Sequence, residues 1–450
     1  MDVVVVGSGI AGLAAASELV RAGLDVLVCE AAEEPGGVIR SVQRDGYCFE
    51  QGPNTFRVGA PFAAFLDRHG LGERLLAASP ASRQRFLVQE GKLVPVPSDP
   101  LRLATTPLLS GRGKLRLIRE PFVARGDPTG ESVAGFASRR LGPEVCERLV
   151  GPFLTGIYAG DEARLGAEAV FPSLVEYERR HGSIVRGALS SAFSRGRERG
   201  RPGIYSGRQG IADLLAPLVA ALGDRLRVST RVEALAGDGA GWRVEIAGPE
   251  GQSSLSTRAL ILATPSASAA RLLAPVEAEA GRLLEEIEYA PVASVALGVD
   301  PSSAREAVRG FGFLVPRDEG EALLGCLFMS QLFPGRAPEG RELLTCLLGG
   351  VRRPEVLDDD DDALAGRALD SVRRLLGLRG EEAVLGVARW ARAVPQPDPA
   401  HPRRVQRLAA LIADLPPLAL AGSYLAGVSV SDSAGSGLRA ASSVQRRLRA

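Results

Sequence analysis

Six residues near the start of the chain, Gly7-Ser8-Gly9-Ile10-Ala11-Gly12, have the types and spacing to hold a phosphate. In a Gly-x-Gly-x-x-Gly turn the first glycine permits the bend, the second lets backbone approach a pyrophosphate, and the third lets helix and strand pack closely. A helix that begins at such a turn offers free N–H groups and the positive end of its dipole to the anion. Glu30 follows at the end of the next apolar run and could accept hydrogen bonds from ribose hydroxyls. Glycine turns alone are common; the flanks make this one specific. Residues 2–6 are an apolar, β-branched run of strand length. Residues 13–22 read as a helix with Leu13, Ala16, Leu19 and Val20 on one face, and 25–29 as a second strand. Strand, glycine turn, helix, strand and acid predict a dinucleotide-binding βαβ unit.

The kind of dinucleotide is indicated further along. Gly36-Gly37 resembles the second half of the FAD fingerprint of glutathione-reductase-like flavoproteins, where a glycine pair brings backbone close to the cofactor. That family usually has an arginine two residues before the pair, and this chain has Glu34. Glu50-Gln51-Gly52-Pro53-Asn54-Thr55-Phe56 resembles the loop that passes beside the flavin in the amine-oxidase branch. FAD is favoured over NAD.

Composition narrows the class. A chain of 450 residues predicts two or three domains with ample core. A net charge of +1 supplies no global field for nucleic acid. The five cysteines are odd in number, widely spaced and without a Cys-x-x-Cys, which fits reduced thiols in a cytoplasmic setting. Three histidines far apart argue against a histidine-based metal site. The first strand starts at residue 2, leaving no room for a signal peptide, and no run of eighteen apolar residues predicts a spanning helix.

The remaining elements must build the substrate side. Residues 61–77 read as helical with a glycine break, and 83–97 as a hairpin turning at Glu90-Gly91, with Arg83 and Arg85 at its entrance. Between 101 and 125 six bases (Arg102, Arg112, Lys114, Arg116, Arg119, Arg125) and one acid (Glu120) leave a local balance of +5 among leucines and Phe122. Two readings stand equal: a surface for an anionic membrane, or a core helix with a solvated basic face. Residues 128–193 read as mostly helical, with 155–161 a glycine-rich turn between helices; 194–203 read as a basic loop. A helix over 211–222 precedes short strands at 227–229, 231–235, 242–247, 254–257 and 259–263. The alternating runs from 292 to 350 predict a large antiparallel sheet whose apolar face could floor a cavity. The acidic run 358–362 opens a helix over 363–377, where carboxylates meet the positive dipole end. A strand at 418–421, the glycine-containing turn 422–432 and a helix over 437–449 offer a second helix N-terminus to a cofactor.

Taken with RQRFLV (83–88), RLGPEV (140–145), TGIYAGD (155–161), FPSL (171–174), FGFLVP (311–316) and GSYLAGVSVSD (422–432), the chain resembles the protoporphyrinogen oxidase family over nearly its whole length. The N-terminal motif is shared by many flavoproteins; TGIYAGD with FGFLVP is far more specific. The resemblance implies an α/β fold: a glutathione-reductase-like, Rossmann-type FAD-binding domain (1–60, 205–265 and 385–450), a mixed-sheet substrate domain (61–97 and 266–384), and a helical, membrane-facing domain (98–204). It implies non-covalent FAD held by Gly7, Ser8, Gly9, Ile10, Ala11, Gly12, Glu30, Ala31, Gly36, Gly37, Val38, Gly52, Pro53, Asn54, Thr55, Val232, Trp390, Ser423, Val428, Ser429 and Val430. Phe311 and Leu314 match apolar residues that sandwich a tetrapyrrole, Arg85 an arginine that pairs with a propionate, and Gly156 a backbone position beside the reacting carbon. The implied reaction removes six hydrogens from a porphyrinogen in heme biosynthesis, by hydride transfer to flavin N5, with molecular oxygen as acceptor. Peripheral attachment to the inner face of the plasma membrane is part of the same expectation, and a homodimer is left open. Two local departures are Pro397, where an aromatic normally follows Val394-Pro395-Gln396, and Ser433, where cysteine often follows the acid Asp432.

The residues agree with this chemistry. A porphyrinogen is a wide apolar macrocycle with carboxylates, so its site needs a hydrophobic slot and few charges. A guanidinium recognises a carboxylate in fixed geometry. The cofactor carries the redox step, so no side-chain catalytic acid–base set is required. Other readings stay open at this point: coproporphyrinogen III as substrate, an amine oxidase or carotenoid desaturase, and a non-catalytic carrier on an FAD-type fold.

Overall fold

In the computed structural model, which describes residues 1–97, 99–194, 200–239, 241–306 and 308–449, the run Val3–Val6 is the central strand of a five-stranded parallel sheet. Its neighbours are Val26–Cys29 and Ala259–Leu262; Leu226–Arg227 and Leu418–Leu420 form the edges. All four residues of each of the three inner strands are buried. Such strands read as unbroken apolar runs because both faces of a parallel sheet are covered. One face packs under helices Ile10–Arg21, Ala60–Arg68, Ala216–Leu222 and Val430–Arg449. The other packs under an antiparallel meander of Arg231–Asp238, Gly241–Gly248 and Gly251–Thr257 and under helices Ser266–Leu273, Ala278–Glu285 and His401–Ala413.

A seven-stranded sheet forms the second body. Its order is Ala383–Pro395, Tyr289–Val299, Glu342–Gly349, Leu323–Phe328, Gly312–Leu314, Phe86–Gln89 and Lys92–Pro95. The strands between Tyr289 and Gly349 pair antiparallel, as expected, and the sheet is mixed at one junction. Gly312–Leu314 pairs in parallel with Phe86–Gln89, which brings a distant hairpin onto the sheet. Helix Asp361–Leu376 covers one face with Leu364, Ala368, Val372 and Leu376; Asp360 caps it by accepting the Ala363 N–H at 2.8 Å.

Four expectations are corrected. Residues 75–77, read as helical, form strand Leu75–Ala77 in a small sheet with Phe56–Val58 and Arg201–Gly207. That sheet also takes residues 201–203 from the expected basic loop, whose residues 195–199 lie outside the described residues. Gly156 does not lie in a turn. Helix Gly151–Tyr158 runs through it and ends at Ala159, whose φ is +47°. The C-terminal helix starts seven residues earlier than expected, at Val430. Its Gly437 serves packing, since a Cβ there would run into the Ala11 carbonyl oxygen of the first helix.

Candidate active site

The first glycine turn is built for close approach. Gly7 has φ +99°, and a Cβ there would stand 2.8 Å from the Ala263 carbonyl oxygen. A Cβ on Gly12 would run into the Gly7 carbonyl oxygen. Gly9, by contrast, has nothing within 4 Å of that position. Gly9 is also the N-cap of helix Ile10–Arg21, with no side chain capping it. The helix N-terminus therefore opens onto free space, as a pyrophosphate requires. The Gly36 N–H donates to the Ser8 carbonyl at 3.0 Å and Gly37 lies against the Gly9 Cα, so the second glycine pair crosses the first turn.

Glu30 stands at the same place. Its Oε2 accepts from the Ser8 N–H at 2.8 Å and the Ser8 hydroxyl at 2.7 Å; among the described residues its Oε1 accepts only from the Ala32 N–H, at 2.9 Å. Oε1 keeps acceptor capacity for a hydroxyl. The Thr230 N–H donates to the Glu30 carbonyl at 2.7 Å, which sets the strand carrying Val232 beside Glu30 and Ala31. Val232 itself is buried, next to a bulge.

The loop Gly52–Thr55 follows strand Tyr47–Glu50, and a Cβ on Gly52 would run into the Val38 carbonyl oxygen. Trp390 fixes the loop by donating from Nε1 to the Gln51 carbonyl at 2.7 Å. Pro53 and Thr55 flank Asn54, which is buried with its Oδ1 unpartnered. A buried carbonyl oxygen without a donor is rare in a native fold and fits a missing polar group. At the C-terminal turn, Ser423 and Val428 are half-buried ahead of helix Val430–Arg449. Ser429 and Asp432 form a reciprocal cap: the Ser429 hydroxyl accepts the Asp432 N–H at 3.0 Å and donates to the Asp432 carboxylate at 2.6 Å. Two helix N-termini, an open Gly9, a spare Glu30 oxygen and an orphaned Asn54 oxygen fit a flavin dinucleotide.

The other cluster lies at one end of the seven-stranded sheet. Leu314 Cδ2 stands 2.6 Å from where a Cβ on Gly156 would be, so a larger residue in that helix would collide with the strand. The Arg85 guanidinium lies over the Phe311 ring, 4.9 Å from its centroid. The pair is held by backbone: the Phe311 N–H donates to the Gln84 carbonyl at 2.8 Å and the Val96 N–H to the Arg85 carbonyl at 2.8 Å. Arg85 is exposed, yet protein crowding about its charged end and, secondly, the charge of Arg57 lower its pKa; it stays cationic. Leu314 and Phe311 are half-buried. The structure thus brings Gly156 to Leu314 and Arg85 to Phe311.

Two residues were missed as contributors. Gln396 donates from Nε2 to the Tyr158 carbonyl at 2.7 Å, tying the end of the Gly151–Tyr158 helix to the strand that carries Trp390. Its signal was present in Val394-Pro395-Gln396. Arg57 was missed because one exposed base in a short strand carries no periodic signal. Burial, then the nearby Asp432, push the Tyr158 pKa up to about 12, so its phenol stays protonated at neutral pH.

Comparison with known proteins fits this geometry. The pattern of the flavin containing amine oxidoreductase family matches residues 10–445. The chain is 34% identical to the chloroplastic protoporphyrinogen oxidase of Nicotiana tabacum over 454 residues, covering 96% of this chain and 83% of that one. It is 28% identical to the coproporphyrinogen III oxidase of Bacillus subtilis, covering 96% and 95%. A crystal structure from Exiguobacterium sp. 255-15, titled as a candidate protoporphyrinogen oxidase, shares the fold with a TM-score of 0.82 at 24% identity over 100% of this chain and 99% of that one. The chain is a flavoenzyme with FAD as cofactor, belonging to the flavin containing amine oxidoreductase family and, within it, to the protoporphyrinogen oxidases.

Proposed function

We propose that this protein oxidises protoporphyrinogen IX to protoporphyrin IX. The observation that carries the reading is the cluster of Arg85, Phe311, Leu314 and Gly156: apolar surfaces with a cation at the edge, as an apolar macrocycle with carboxylates requires. FAD, when bound, supplies the two-electron acceptor for hydride leaving a meso carbon, and molecular oxygen is the proposed final acceptor. The chain's own residues position and exclude. Gly7 to Gly12, Glu30, Ala31 and Val232 hold the adenosine and pyrophosphate. Gly36 to Val38, Gly52 to Thr55, Trp390, Ser423 and Val428 to Val430 hold the flavin part. Phe311 and Leu314 clasp the macrocycle, Arg85 takes a carboxylate, and the missing side chain at Gly156 lets Leu314 pack directly on the helix backbone beside the reacting carbon.

The test is anaerobic. Purified protein mixed with protoporphyrinogen IX should lose its flavin absorbance, and porphyrin fluorescence should follow once air enters. A flavin band that persists would discard the substrate. Parallel turnover of coproporphyrinogen III separates the two oxidases, and a strong preference for it would overturn the assignment.

Membrane contact is part of the same proposal. Leu115, Ile118 and Phe122 are 50%, 71% and 82% exposed, more than a core helix with a solvated face would leave. Arg112, Lys114, Arg116, Arg119 and Arg125 share the segment, and exposed Val185 and Leu189 lie on the helix packed beside it. Apolar residues ringed by cations suit an anionic bilayer surface. No helix among the described residues is long and apolar enough to cross a membrane. The protein should pellet with anionic vesicles at low salt, and Phe122→Ser should weaken this; recovery of all protein in the supernatant would refute the contact.

A further inference from the structure

Arg57 is the middle residue of strand Phe56–Val58. Phe56 and Val58 are buried in the core beneath the parallel sheet, while Arg57 is exposed. The pleat therefore turns Arg57 to the opposite face. The partner strand Arg201–Gly207 pairs Tyr205 with Phe56, and its Ile204 packs on the apolar cluster around Leu332 and Phe333. Phe311 packs on that same cluster and carries the Arg85 guanidinium on its ring. Arg57, on the small sheet, and Arg85, just ahead of strand Phe86–Gln89, thus lie on segments packed around one apolar cluster, and the charge of Arg57 is felt at Arg85.

Neither guanidinium has an acidic partner among the described residues. Other exposed arginines, such as Arg373 and Arg407, hold carboxylates at 2.6 Å. Two neighbouring cations repel unless anions lie between or beside them. Guanidinium groups meet carboxylates through paired, planar hydrogen bonds. A porphyrinogen of the proposed class carries two propionates on adjacent pyrroles, one for each arginine.

We propose that Arg57 and Arg85 together form a dicarboxylate clamp that holds the propionate edge of the substrate, with Arg57 as a second specificity-determining residue. The clamp rests on the porphyrinogen reading of the site. It holds the macrocycle by one edge and leaves the apolar remainder to Phe311 and Leu314. A porphyrinogen with two more carboxylates on its other edge would have to desolvate them against apolar surface, which is unfavourable.

The experiment titrates fluorescent protoporphyrin IX, and separately its dimethyl ester, into the flavin-loaded wild type, Arg57→Gln and Arg57→Lys. All three should keep the same flavin content and melting temperature. Loss of a charge-assisted contact should weaken binding of the diacid to Arg57→Gln by about tenfold or more. Arg57→Lys should recover part of the loss, and the ester should bind wild type and Arg57→Gln alike. In turnover, KM for protoporphyrinogen IX should rise by a similar factor while kcat holds. Equal binding of the diacid by wild type and Arg57→Gln would overturn the clamp. So would equal losses for diacid and ester, which would indicate a structural role. A wild type that binds neither porphyrin would instead overturn the substrate reading, and the clamp with it.

Discussion

At the scale of single residues, two glycines of one motif have different physical reasons. A side chain on Gly12 collides with the Gly7 carbonyl oxygen of its own fold, whereas a side chain on Gly9 meets nothing within 4 Å. Gly9→Ala should fold with an unchanged melting temperature as apoprotein and yet bind FAD poorly. Gly12→Ala should lose both stability and flavin. Flavin-to-protein ratios and melting curves check the contrast; a Gly9→Ala protein with full flavin content would move the anion away from this helix N-terminus. The motif gave the two positions these different roles; the structure adds the atoms each side chain would or would not meet.

At the scale of elements, the exposed basic segment is held by one buried acid. Glu120 opens the turn Glu120–Phe122, is fully buried, and pairs with buried Arg140. It also accepts the Ser183 hydroxyl at 2.6 Å and the Ile184 and Val185 N–H groups at 2.8 and 3.2 Å, capping helix Ile184–Ser194. Burial works to raise its pKa, but the hydrogen bonds from Ser183, Arg140 and the two backbone groups outweigh it, and the pKa lies below the ordinary 4.5. A carboxylate depressed in the folded state stabilises above its unfolded pKa, and that stability is lost as pH falls through the folded value. Glu120→Gln leaves Arg140 buried without its charge partner, a loss of about 3 kcal/mol at neutral pH. The gap in melting temperature between variant and wild type should then narrow as pH drops below about 4.5. A gap that stays constant into acid would show that Glu120 does not titrate in this way. The helices here were legible from periodicity; the ion network that seats them was not, because Glu120, Arg140 and Ser183 lie in separate elements.

At the scale of the molecule, the flavin-binding part and the seven-stranded sheet meet at a buried cation. Arg336 donates to the Cys48 Sγ at 2.5 Å, the Ser206 hydroxyl at 2.7 Å and the Gly207 carbonyl at 2.9 Å, and stands 3.6 Å from the Glu50 carboxylate. Glu50 in turn accepts the Ser41 hydroxyl at 2.5 Å and the Ile211 N–H at 2.9 Å. Burial, opposed by the Ser41 hydroxyl and by Arg336, raises the Glu50 pKa. Arg336→Met should remove the cation, drive Glu50 to take up a proton, and cost roughly 3–5 kcal/mol. Because the Gly52–Thr55 loop follows directly, flavin content should fall as well, and excess FAD should restore part of the melting temperature. A variant with normal melting and normal flavin would remove Arg336 from the coupling of the two bodies.

What the sequence determined by itself is local. The βαβ unit at Val3–Val6, Ile10–Arg21 and Val26–Cys29, the hairpin turning at Glu90-Gly91 and the capped helix after Asp360 all follow from side-chain period, turn residues and capping, which act over a few neighbours. The family and its FAD were readable for the same reason, since their motifs are contiguous. Tertiary structure alone decided the partners. Strand Leu75–Ala77 exists because it pairs with Arg201–Gly207, which pairs on its other side with Phe56–Val58. The parallel join of Gly312–Leu314 to Phe86–Gln89 puts Arg85 on Phe311. A residue pattern records which face a side chain takes; it does not record which distant segment that face will meet. That choice is made by burial and backbone pairing across the whole chain.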